Sequence, residues 1–385
     1  MPWKCRSAME CRQLLVKAVE SGTSVAQAAK EAGVSRQVAH KWLKRHREGG
    51  DEALNDLSRA PHAVPGKTPD ELIERCLQLR RQNPTWGPKK VRAWLAASEP
   101  DVEWPSASTV GEWLDRAGLV ERRKWRVRFP GSTTPLSHAE KANDVWSIDF
   151  KGQFRLGNGA YCYPLTVTDN ATRFLLLCTA LTTTSAREAR EPLRKLFQER
   201  GLPAAIRSDN GSPFATHGVC GLSALSALWR ALGIRHERIA PGHPEQNGRH
   251  ERMHLTLKQE TTRPAAHDQS SQQQRFDRFQ EYFNHRRPHE AIGQVTPGSL
   301  YRNSTRRWNG EELSIEYDTT DDVKHVASNG SVKWRGTTVH IGDALVGFPI
   351  GFKEISDNVW QVHFTDLVLG ILEPGETRLS KPQPG

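Results

Sequence analysis

From about residue 140 the sequence changes to short apolar segments of strand type, separated by segments of helical type. The predicted elements, in chain order, are strands at 145–150, 161–168 and 173–181, a helix at 184–200, a strand at 204–208, a helix near 221–232, a strand at 234–239 and a helix after residue 248. Three consecutive strands followed by alternating helices and strands indicate an α/β domain.

Three acidic residues stand at ends or turns of this pattern. Asp149 lies in the strand at 145–150, and Asp209 follows the strand at 204–208, just before an Asn-Gly turn. On the last helix Glu251, Leu255 and Lys258 share one face, because they are spaced at i, i+4 and i+7. Taken alone, that helix is typical of an amphipathic surface helix. Together with two carboxylates at strand ends, it offers the oxygen ligands that a Mg²⁺ site requires.

The segments around these acids resemble a known family. Trp-Ser-Ile-Asp149, Ser-Asp209-Asn-Gly and Asn-Gly-Arg-His-Glu251-Arg are similar to the three acidic signatures of DDE transposases of the retroviral-integrase-like superfamily. The branch they resemble most is the insertion-sequence family numbered four-eighty-one, related to the family numbered three. The resemblance covers nearly the whole chain. It implies a ribonuclease-H-like core whose first and fourth strands are neighbours.

The resemblance also implies the chemistry of the site. Asp149, Asp209 and Glu251 would be the catalytic triad and would bind two Mg²⁺ ions, with Mn²⁺ as a substitute. The acids that compete for these roles are Asp144, Asp169, Glu245 and Glu260. Asp169 is the strongest rival because it ends another predicted strand. Glu251 is preferred over Glu245 because the family motif places its glutamate after the Asn-Gly pair, inside the helix.

The basic charge of the chain is concentrated near its start. The net charge is +10, and residues 1–135 carry 24 Lys and Arg against 16 Asp and Glu, whereas residues 301–385 are net acidic. A basic region of this kind is expected to contact nucleic acid when a suitable fold accompanies it.

Residues 1–60 have the pattern of a helix-turn-helix DNA-binding domain. Gly33 is predicted to make the tight turn and Ser35 to cap a new helix. On this helix Val34, Val38 and Trp42 are predicted to point inward. The outward residues, predicted to contact DNA, are Arg36, Gln37, His40, Lys41 and Lys44. The alternative is an ordinary three-helix bundle with a basic face.

Residues 67–121 have the pattern of a second helix-turn-helix-like domain, with a helix capped by Ser106 and ended by Gly118. Ser108 and Thr109 are its candidate DNA contacts. Because its exposed residues are only weakly basic, a packing or dimerisation module is the alternative.

Residues 122–139 form a basic linker. Its cations, predicted to follow DNA phosphates unless the linker is merely solvated, are Arg122, Arg123, Lys124, Arg126 and Arg128. Lys258 is predicted to meet a DNA end, the alternative being a solvated lysine.

The predicted core extends over residues 140–300, and a polar linker over residues 301–325 follows. Near the end of the core, Arg287 and His289 are expected to stabilise the fold, with an approach to DNA as the alternative. Residues 326–374 alternate apolar and polar positions between glycines and predict a small β-domain, for which the resemblance implies an SH3-like barrel. The predicted fold class is therefore multidomain: all-α helix-turn-helix modules, an α/β ribonuclease-H-like core and a small all-β barrel.

Several classes of protein are disfavoured by composition. The chain has no apolar run of the length that spans a membrane and no apolar segment of signal-peptide type. Its six cysteines form neither a CxxC pair nor a zinc-ligand spacing, so we expect reduced thiols. With the resemblance, these features predict a bacterial cytoplasmic protein associated with the nucleoid.

The function that the resemblance implies is that of a DNA transposase. It would bind the terminal inverted repeats of an insertion sequence and catalyse metal-dependent strand cleavage and strand transfer into target DNA, as a homo-oligomer that is at least a dimer on paired ends. One alternative is a ribonuclease-H-type nuclease, which the two helix-turn-helix patterns disfavour. Another is a non-enzymatic, transposon-derived DNA-binding regulator, which the presence of all three acids disfavours.

Overall fold

The computed structural model of the protein describes residues 7–57, 68–120, 136–216, 218–240, 243–311 and 315–380. The chain divides into two compact units, residues 1–67 and residues 68–385. Within the described ranges, every helix is too short or too polar to cross a membrane.

The first unit is a bundle of three helices followed by one 3₁₀ turn at Asp51–Leu54. The helices are α1 (Ala8–Glu20), α2 (Val25–Ala32) and α3 (Arg36–Gly49). Each begins after a serine whose side chain accepts a hydrogen bond from a backbone N–H in the first turn. Gly33 ends α2 with a φ of 69°, a left-handed conformation that favours glycine. The predicted turn at Gly33 and cap at Ser35 are therefore both present.

The buried face of α3 differs from the predicted one. Ala39 and Leu43 are buried at i and i+4, whereas Val34 and Val38 are each 37% exposed. Trp42 is half-buried. The prediction that Val34 and Val38 point inward was wrong because the small Ala39, which permits close packing against α2, defines the inner face.

The second unit begins with three more helices. They are α4 (Asp70–Gln82), α5 (Pro88–Ser98) and α6 (Ala107–Arg116). Their shared core contains three tryptophans, Trp86, Trp104 and Trp113, with Cys76 and Val91 packed among them. Ser106 caps α6 as predicted, accepting a hydrogen bond from the backbone N–H of Thr109.

A mixed sheet with flanking helices forms the centre of the second unit. Its elements are β1 (Val145–Phe150), β2 (Phe154–Arg155), β3 (Tyr161–Asp169), β4 (Leu175–Leu181), α7 (Ala186–Arg200), β5 (Ala205–Ser208), α8 (Ala224–Ala231), β6 (Arg235–Arg238), α9 (Gly248–Thr261), α10 (Gln269–His285) and the short α11 (Pro297–Leu300). The strand order is β2-β3-β1-β5-β6, and β4 pairs with β3.

The pairing of β1 with β5 brings the two aspartate-bearing strands together. These strands run parallel, with Val145 opposite Ala205 and Ser147 opposite Arg207. They correspond to the first and fourth strands predicted from the sequence, so their expected adjacency is confirmed. Asp149, near the end of β1, and Asp209, directly after β5, therefore lie at the same edge of the sheet.

A small all-β domain ends the described chain. Its strands are β7 (Asp322–His325), β8 (Ser331–Trp334), β9 (Thr337–His340), β10 (Pro349–Ser356), β11 (Val359–Phe364) and β12 (Leu367–Leu372). Four of them form a sheet of order β12-β11-β10-β7, and β8 pairs with β9. Leu222 and Ala227, from the end of the loop before α8 and from α8 itself, join the apolar core of this domain. A small β-domain was predicted here; its classification as an SH3-like barrel stays a prediction.

The second helical module is attached to the central domain by specific contacts. The Trp86 and Tyr282 rings stack with centroids 6.3 Å apart, and the Tyr282 hydroxyl donates to Asn83 Oδ1 at 2.9 Å. Arg287 Nη1 donates to Thr85 Oγ1 at 2.7 Å and to Glu260 Oε1 at 3.0 Å. Arg287 therefore connects the module to the core, in line with the structural role favoured from the sequence.

The cysteines do not all match the prediction of reduced thiols. Cys11 forms a disulfide, whereas Cys76, Cys162, Cys178 and Cys220 are free.

Candidate active site

Asp149 is a largely buried carboxylate whose neighbours are also acidic. Its side chain is 23% exposed. Its pKa is raised to about 7, first by burial and then by the negative charge of Asp209, with Glu251 adding a smaller effect in the same direction. Three acids far apart in sequence therefore influence one another across the edge of the sheet.

Asp209 lies in a turn that fixes its carboxylate. The Gly211 backbone N–H donates to Asp209 Oδ1 at 3.1 Å, and Asn210 Nδ2 donates to the Ile239 carbonyl at 2.6 Å. A Cβ atom at position 211 would stand 3.2 Å from Asp209 Oδ2, closer than side chains normally tolerate. The glycine of the Asp-Asn-Gly sequence thus allows the turn to fold back on the aspartate.

Glu251 stands in the first turn of α9, on the face predicted from the sequence. It is exposed, as are Leu255 and Lys258 on the same face. A carboxylate in the first turn of a helix is favoured by the helix dipole.

The buried side of α9 carries two histidines that the sequence analysis missed. Thr166 Oγ1, on β3, lies 2.7 Å from His250 Nε2 and 2.7 Å from His254 Nε2, and Thr168 Oγ1 lies 2.7 Å from His250 Nδ1. His254 Nδ1 is also 3.8 Å from Asp149 Oδ2. The signal was available, because a pair of histidines at i and i+4 occupies a single helix face.

Both histidines are neutral at neutral pH. Burial lowers the pKa of His254 to about 3, and the charge of Lys151 lowers it further. Burial, assisted by His254, holds the pKa of His250 well below its usual range. His254 therefore contributes no positive charge to offset Asp149.

Lys151 is a second residue that the sequence analysis did not select. It follows β1, and its pKa is lowered by burial and by the charge of Lys258, an effect that the charge of Asp149 opposes. Two lysines thus stand beside the acids, one on the sheet side and one on α9.

Three of the competing acids form hydrogen bonds or ion pairs with other partners, and the side chain of the fourth is outside the described parts of the structure. Asp169 is 1% exposed and accepts hydrogen bonds from the backbone N–H groups of Asn143 and Thr172. Asp144 accepts the backbone N–H groups of residues 140 and 141, and Glu260 pairs with Arg287. The side chain of Glu245 lies outside the described parts of the structure.

The donor chemistry around Asp149 fits a hard divalent cation, since three carboxylates offer only oxygen ligands. Like-charge repulsion of the kind that raises the pKa of Asp149 would be relieved by such an ion. In the described residues, however, no three His, Cys, Asp or Glu side chains converge closely enough to form a complete ion site. Asp149, Asp209 and Glu251 thus lie near one another, but their carboxylates do not converge on a single point.

The candidate DNA contacts are distributed over several elements. On α3 the predicted residues are all exposed: Arg36, Gln37, His40, Lys41 and Lys44. On α6 the Ser108 and Thr109 hydroxyls lie 2.7 and 3.0 Å from Ser106 Oγ, within the helix cap. The linker cations Arg122, Arg123, Lys124, Arg126 and Arg128 lie outside the described residues.

Comparison with protein families adds domain assignments. Residues 12–62 match a helix-turn-helix domain and residues 38–114 a homeodomain-like domain. Residues 139–244 and 232–297 match two families described as integrase core domains. Along the chain, similarity to helix-turn-helix domains is therefore followed by similarity to integrase core domains, in agreement with those two parts of the predicted fold class.

Two similar proteins come from bacterial insertion elements. An uncharacterized 39.2 kDa protein of insertion element IS476 from Xanthomonas euvesicatoria is 25% identical over 290 residues, covering 73% of this chain and 79% of that protein. An uncharacterized 31.7 kDa protein of insertion element IS407 from Burkholderia multivorans is 25% identical over 244 residues, covering 62% and 83%.

Similar solved structures are viral integrases. The HTLV-2 integrase catalytic core domain in complex with magnesium is 12% identical with a TM-score of 0.34, and the match covers 43% of this chain and all of that one. A chain of the simian T-cell lymphotropic virus intasome in complex with a PP2A regulatory subunit is 15% identical with a TM-score of 0.38, covering 78% and 99%.

Proposed function

We propose that the protein is a DNA transposase of the integrase superfamily, in the insertion-sequence branch numbered four-eighty-one. It binds the terminal inverted repeats of its element, cuts a strand at the element end and joins that end to target DNA. The integrase core matched at residues 139–244 and 232–297, preceded by helix-turn-helix regions, supports this class of activity.

The observation that carries the proposal is the environment of Asp149. Burial and two neighbouring acids raise the pKa of Asp149 to about 7. Such an environment destabilises the charged carboxylate, which is typical of functional sites and not of carboxylates with a purely structural role. Burial also raises the pKa of Asp169, but the neighbours of that carboxylate are hydrogen-bond donors, which lower its pKa, and not acids, which would raise it further. We therefore assign the catalytic, metal-binding triad to Asp149, Asp209 and Glu251.

The proposed reaction proceeds by two displacements at phosphorus. Water first cuts a phosphodiester and frees a 3′-OH at the element end, and that 3′-OH then attacks a target phosphodiester. Two Mg²⁺ ions, for which Mn²⁺ can substitute, would stabilise the attacking and leaving oxygens when bound by the triad. Lys258 and Lys151 border the acids and meet the DNA phosphates, and no covalent enzyme intermediate forms.

Recognition of the ends is assigned mainly to the first unit. The exposed side chains of α3, from Arg36 to Lys44, supply the donors that read bases in a major groove. Ser108, Thr109 and the basic linker residues add contacts to the phosphate backbone. Pairing of two element ends requires at least a dimer.

The test compares three isosteric variants, Asp149→Asn, Asp209→Asn and Glu251→Gln, in cleavage and joining of labelled terminal-repeat DNA with Mg²⁺. Each removes one negative ligand while keeping the side-chain shape. We expect each to abolish both reactions, while a mobility shift on the same DNA is unchanged.

Two carboxylate variants serve as controls. Glu245→Gln tests the rival third acid, and Glu281→Gln removes a charge that is 74% exposed on α10. Both should retain activity. If Glu245→Gln abolishes cutting and Glu251→Gln does not, the third acid is assigned wrongly. If the three triad variants all cut normally, the proposed mechanism fails.

A further inference from the structure

A basic cavity lies on the side of α9 that faces away from Glu251. It has a volume of about 300 Å³, at the lower end of the range for ligand pockets. Arg249, Arg252, Met253 and Thr256 line it from α9, about half a helical turn away from Glu251. The remaining walls come from α5, the end of β3, the turn before β4, the last turn of α10 and the segment after it.

Four cations in this lining form no ion pair with an acid in the described part of the chain. Arg249 Nη1 donates to the Asn170 carbonyl at 3.3 Å, and the Lys90 ammonium donates to the Pro288 carbonyl. Arg173 Nη1 is buried without a hydrogen-bond partner among the described residues. Arg252 is exposed and forms no ion pair within the described parts of the chain. A fifth cation, Arg287, is paired with Glu260.

The two acids in the lining offset these cations only in part: the charge of Asp169 opposes the lowering of the Arg173 pKa, and the charge of Glu290 opposes that of Lys90. The carboxylate of Asp169 accepts backbone N–H groups at both oxygens, from Thr172 and Asn143. Glu290 pairs with Lys89, which is outside the cavity lining. The lining of the cavity therefore holds more positive charge than its two acids offset.

Burial and, to a smaller extent, mutual repulsion lower the pKa values of two of these cations. Burial lowers the pKa of Arg173 to about 10, with a further contribution from Arg249. Burial also lowers the pKa of Lys90 to about 8, with contributions from Arg287 and Arg252. A nearby like charge disfavours the charged form of a partly buried group, and an oppositely charged ligand would relieve that repulsion.

We propose that this cavity binds a phosphate group of a nucleotide, either free or at the end of a DNA strand. Guanidinium groups favour phosphate oxygens, with which they form paired, charge-assisted hydrogen bonds. Phe283, Met253 and Ala291 provide an apolar wall that suits the remainder of a nucleotide. The choice of a DNA strand end as the source rests on the proposed function, whereas phosphate binding itself does not.

The test is calorimetric titration of the full chain with three probes: pyrophosphate, a 5′-phosphorylated dinucleotide and the same dinucleotide without its phosphate. We expect saturable one-to-one binding of the phosphorylated probes and none of the third. In the Arg249→Gln/Arg252→Gln double variant the affinity should fall at least tenfold. Arg278→Gln, an exposed arginine on α10, should bind like the wild type.

The titrations distinguish a DNA strand end from a free phosphate ligand, and they test phosphate binding separately from the catalytic proposal. Tighter binding of the dinucleotide than of pyrophosphate identifies a strand end, and the reverse identifies a free phosphate ligand. Equal affinity in the double variant and the wild type, with both folded by circular dichroism, overturns the inference, as does the absence of saturable binding. Asp149→Asn should leave these titrations unchanged, so failure of the catalytic proposal is seen separately.

Discussion

The two helical modules of this chain share a sequence pattern but differ in their surroundings. In each, a serine caps a helix whose pattern resembles a recognition helix. In the first module that helix, α3, presents five polar or basic side chains to solvent, and the module forms a compact unit by itself. The second module belongs to the larger unit and is attached to the core through Trp86, Thr85 and Asn83.

The difference teaches that a helix-turn-helix pattern does not by itself assign a DNA contact. In the second module Trp86, which is part of the core, also makes the attachment, and the Ser108 and Thr109 hydroxyls are used in capping. The alternative of a packing module, which the sequence left open, accounts for these contacts. DNA binding by α6 remains a prediction.

The largest expected effect concerns the independence of the modules. Trp86→Ala removes a ring that is 1% exposed and should destabilise the larger unit by about 3–5 kcal/mol. Leu43→Ala, in the first unit, should lower only the transition of that unit, by about 2–5 kcal/mol. Denaturant unfolding followed by tryptophan fluorescence and circular dichroism measures both. A single shared transition shifted equally by either change would contradict the division.

A second prediction compares the contributions of the two modules to DNA binding. Arg36→Ala with Lys41→Ala should weaken binding to terminal-repeat DNA by roughly 1–3 kcal/mol for each lost base contact, without changing stability. Ser108→Ala with Thr109→Val should change binding less. Mobility shifts on specific and unrelated DNA are the measurement. An equal loss on both DNAs would identify phosphate contacts, and a larger loss from the α6 pair would reverse the assignment of the two modules.

A third prediction isolates one contact of the attachment. Tyr282→Phe keeps the ring stacked on Trp86 but removes the hydrogen bond to Asn83, which should cost about 1 kcal/mol of the free energy of unfolding. Tyr161→Phe is the matched control: it loses only a solvent-exposed hydrogen bond from Arg155 Nε at 3.2 Å and should be close to neutral. If Tyr282→Phe is equally neutral, the hydrogen bond from Tyr282 to Asn83 does not contribute to the attachment.

The smallest effect is a pH dependence at the same attachment. With a folded pKa of about 8 against 10.5, Lys90 releases its proton earlier in the folded protein than in the unfolded chain. The unfolded state binds more protons between these values, so the contribution of Lys90 to stability rises as pH increases from about 8 to 10.5. Because Lys90 is partly exposed, we expect roughly 1 kcal/mol across this range.

The measurement is the difference in unfolding free energy between the wild type and Lys90→Met as a function of pH. That difference removes the contributions of other groups that titrate in the same range. A constant difference from pH 7.5 to 10.5 would show that Lys90 is not perturbed by the attachment. Lys89→Met, an exposed neighbour, is the control.

Much of the core could be predicted because local pattern and tertiary structure agree there. The strand at 145–150 is found at those residues, and α9 begins at Gly248, within the Asn-Gly pair that signalled it. Asp149 and Asp209 could be selected because they stand where strands end. Their adjacency could not be derived from spacing, since it depends on a parallel pairing of strands about 60 residues apart. The resemblance supplied that pairing.

Other features were beyond the reach of local pattern. Val34 and Val38 are apolar at helical spacing, yet the inner face of α3 is set by Ala39. His250 and His254 gain their importance from Thr166, on a distant strand. The basic cavity combines Lys90, Arg173 and Arg249, which no window of sequence contains together.

The hydrogen bonds between α9 and β3 have one further consequence. The rotation of α9 about its axis is fixed by three side-chain contacts to the sheet. They join His250 and His254 to Thr166 and Thr168. Successive residues of a helix differ by about 100° of rotation, so a slip by a single residue would break all three contacts. It would also swing Glu251 away from β1 and turn arginines toward the acids. The neutral, buried imidazoles of His250 and His254 thus fix the rotation of α9 on the sheet, and with it the charged side chains that face the acids.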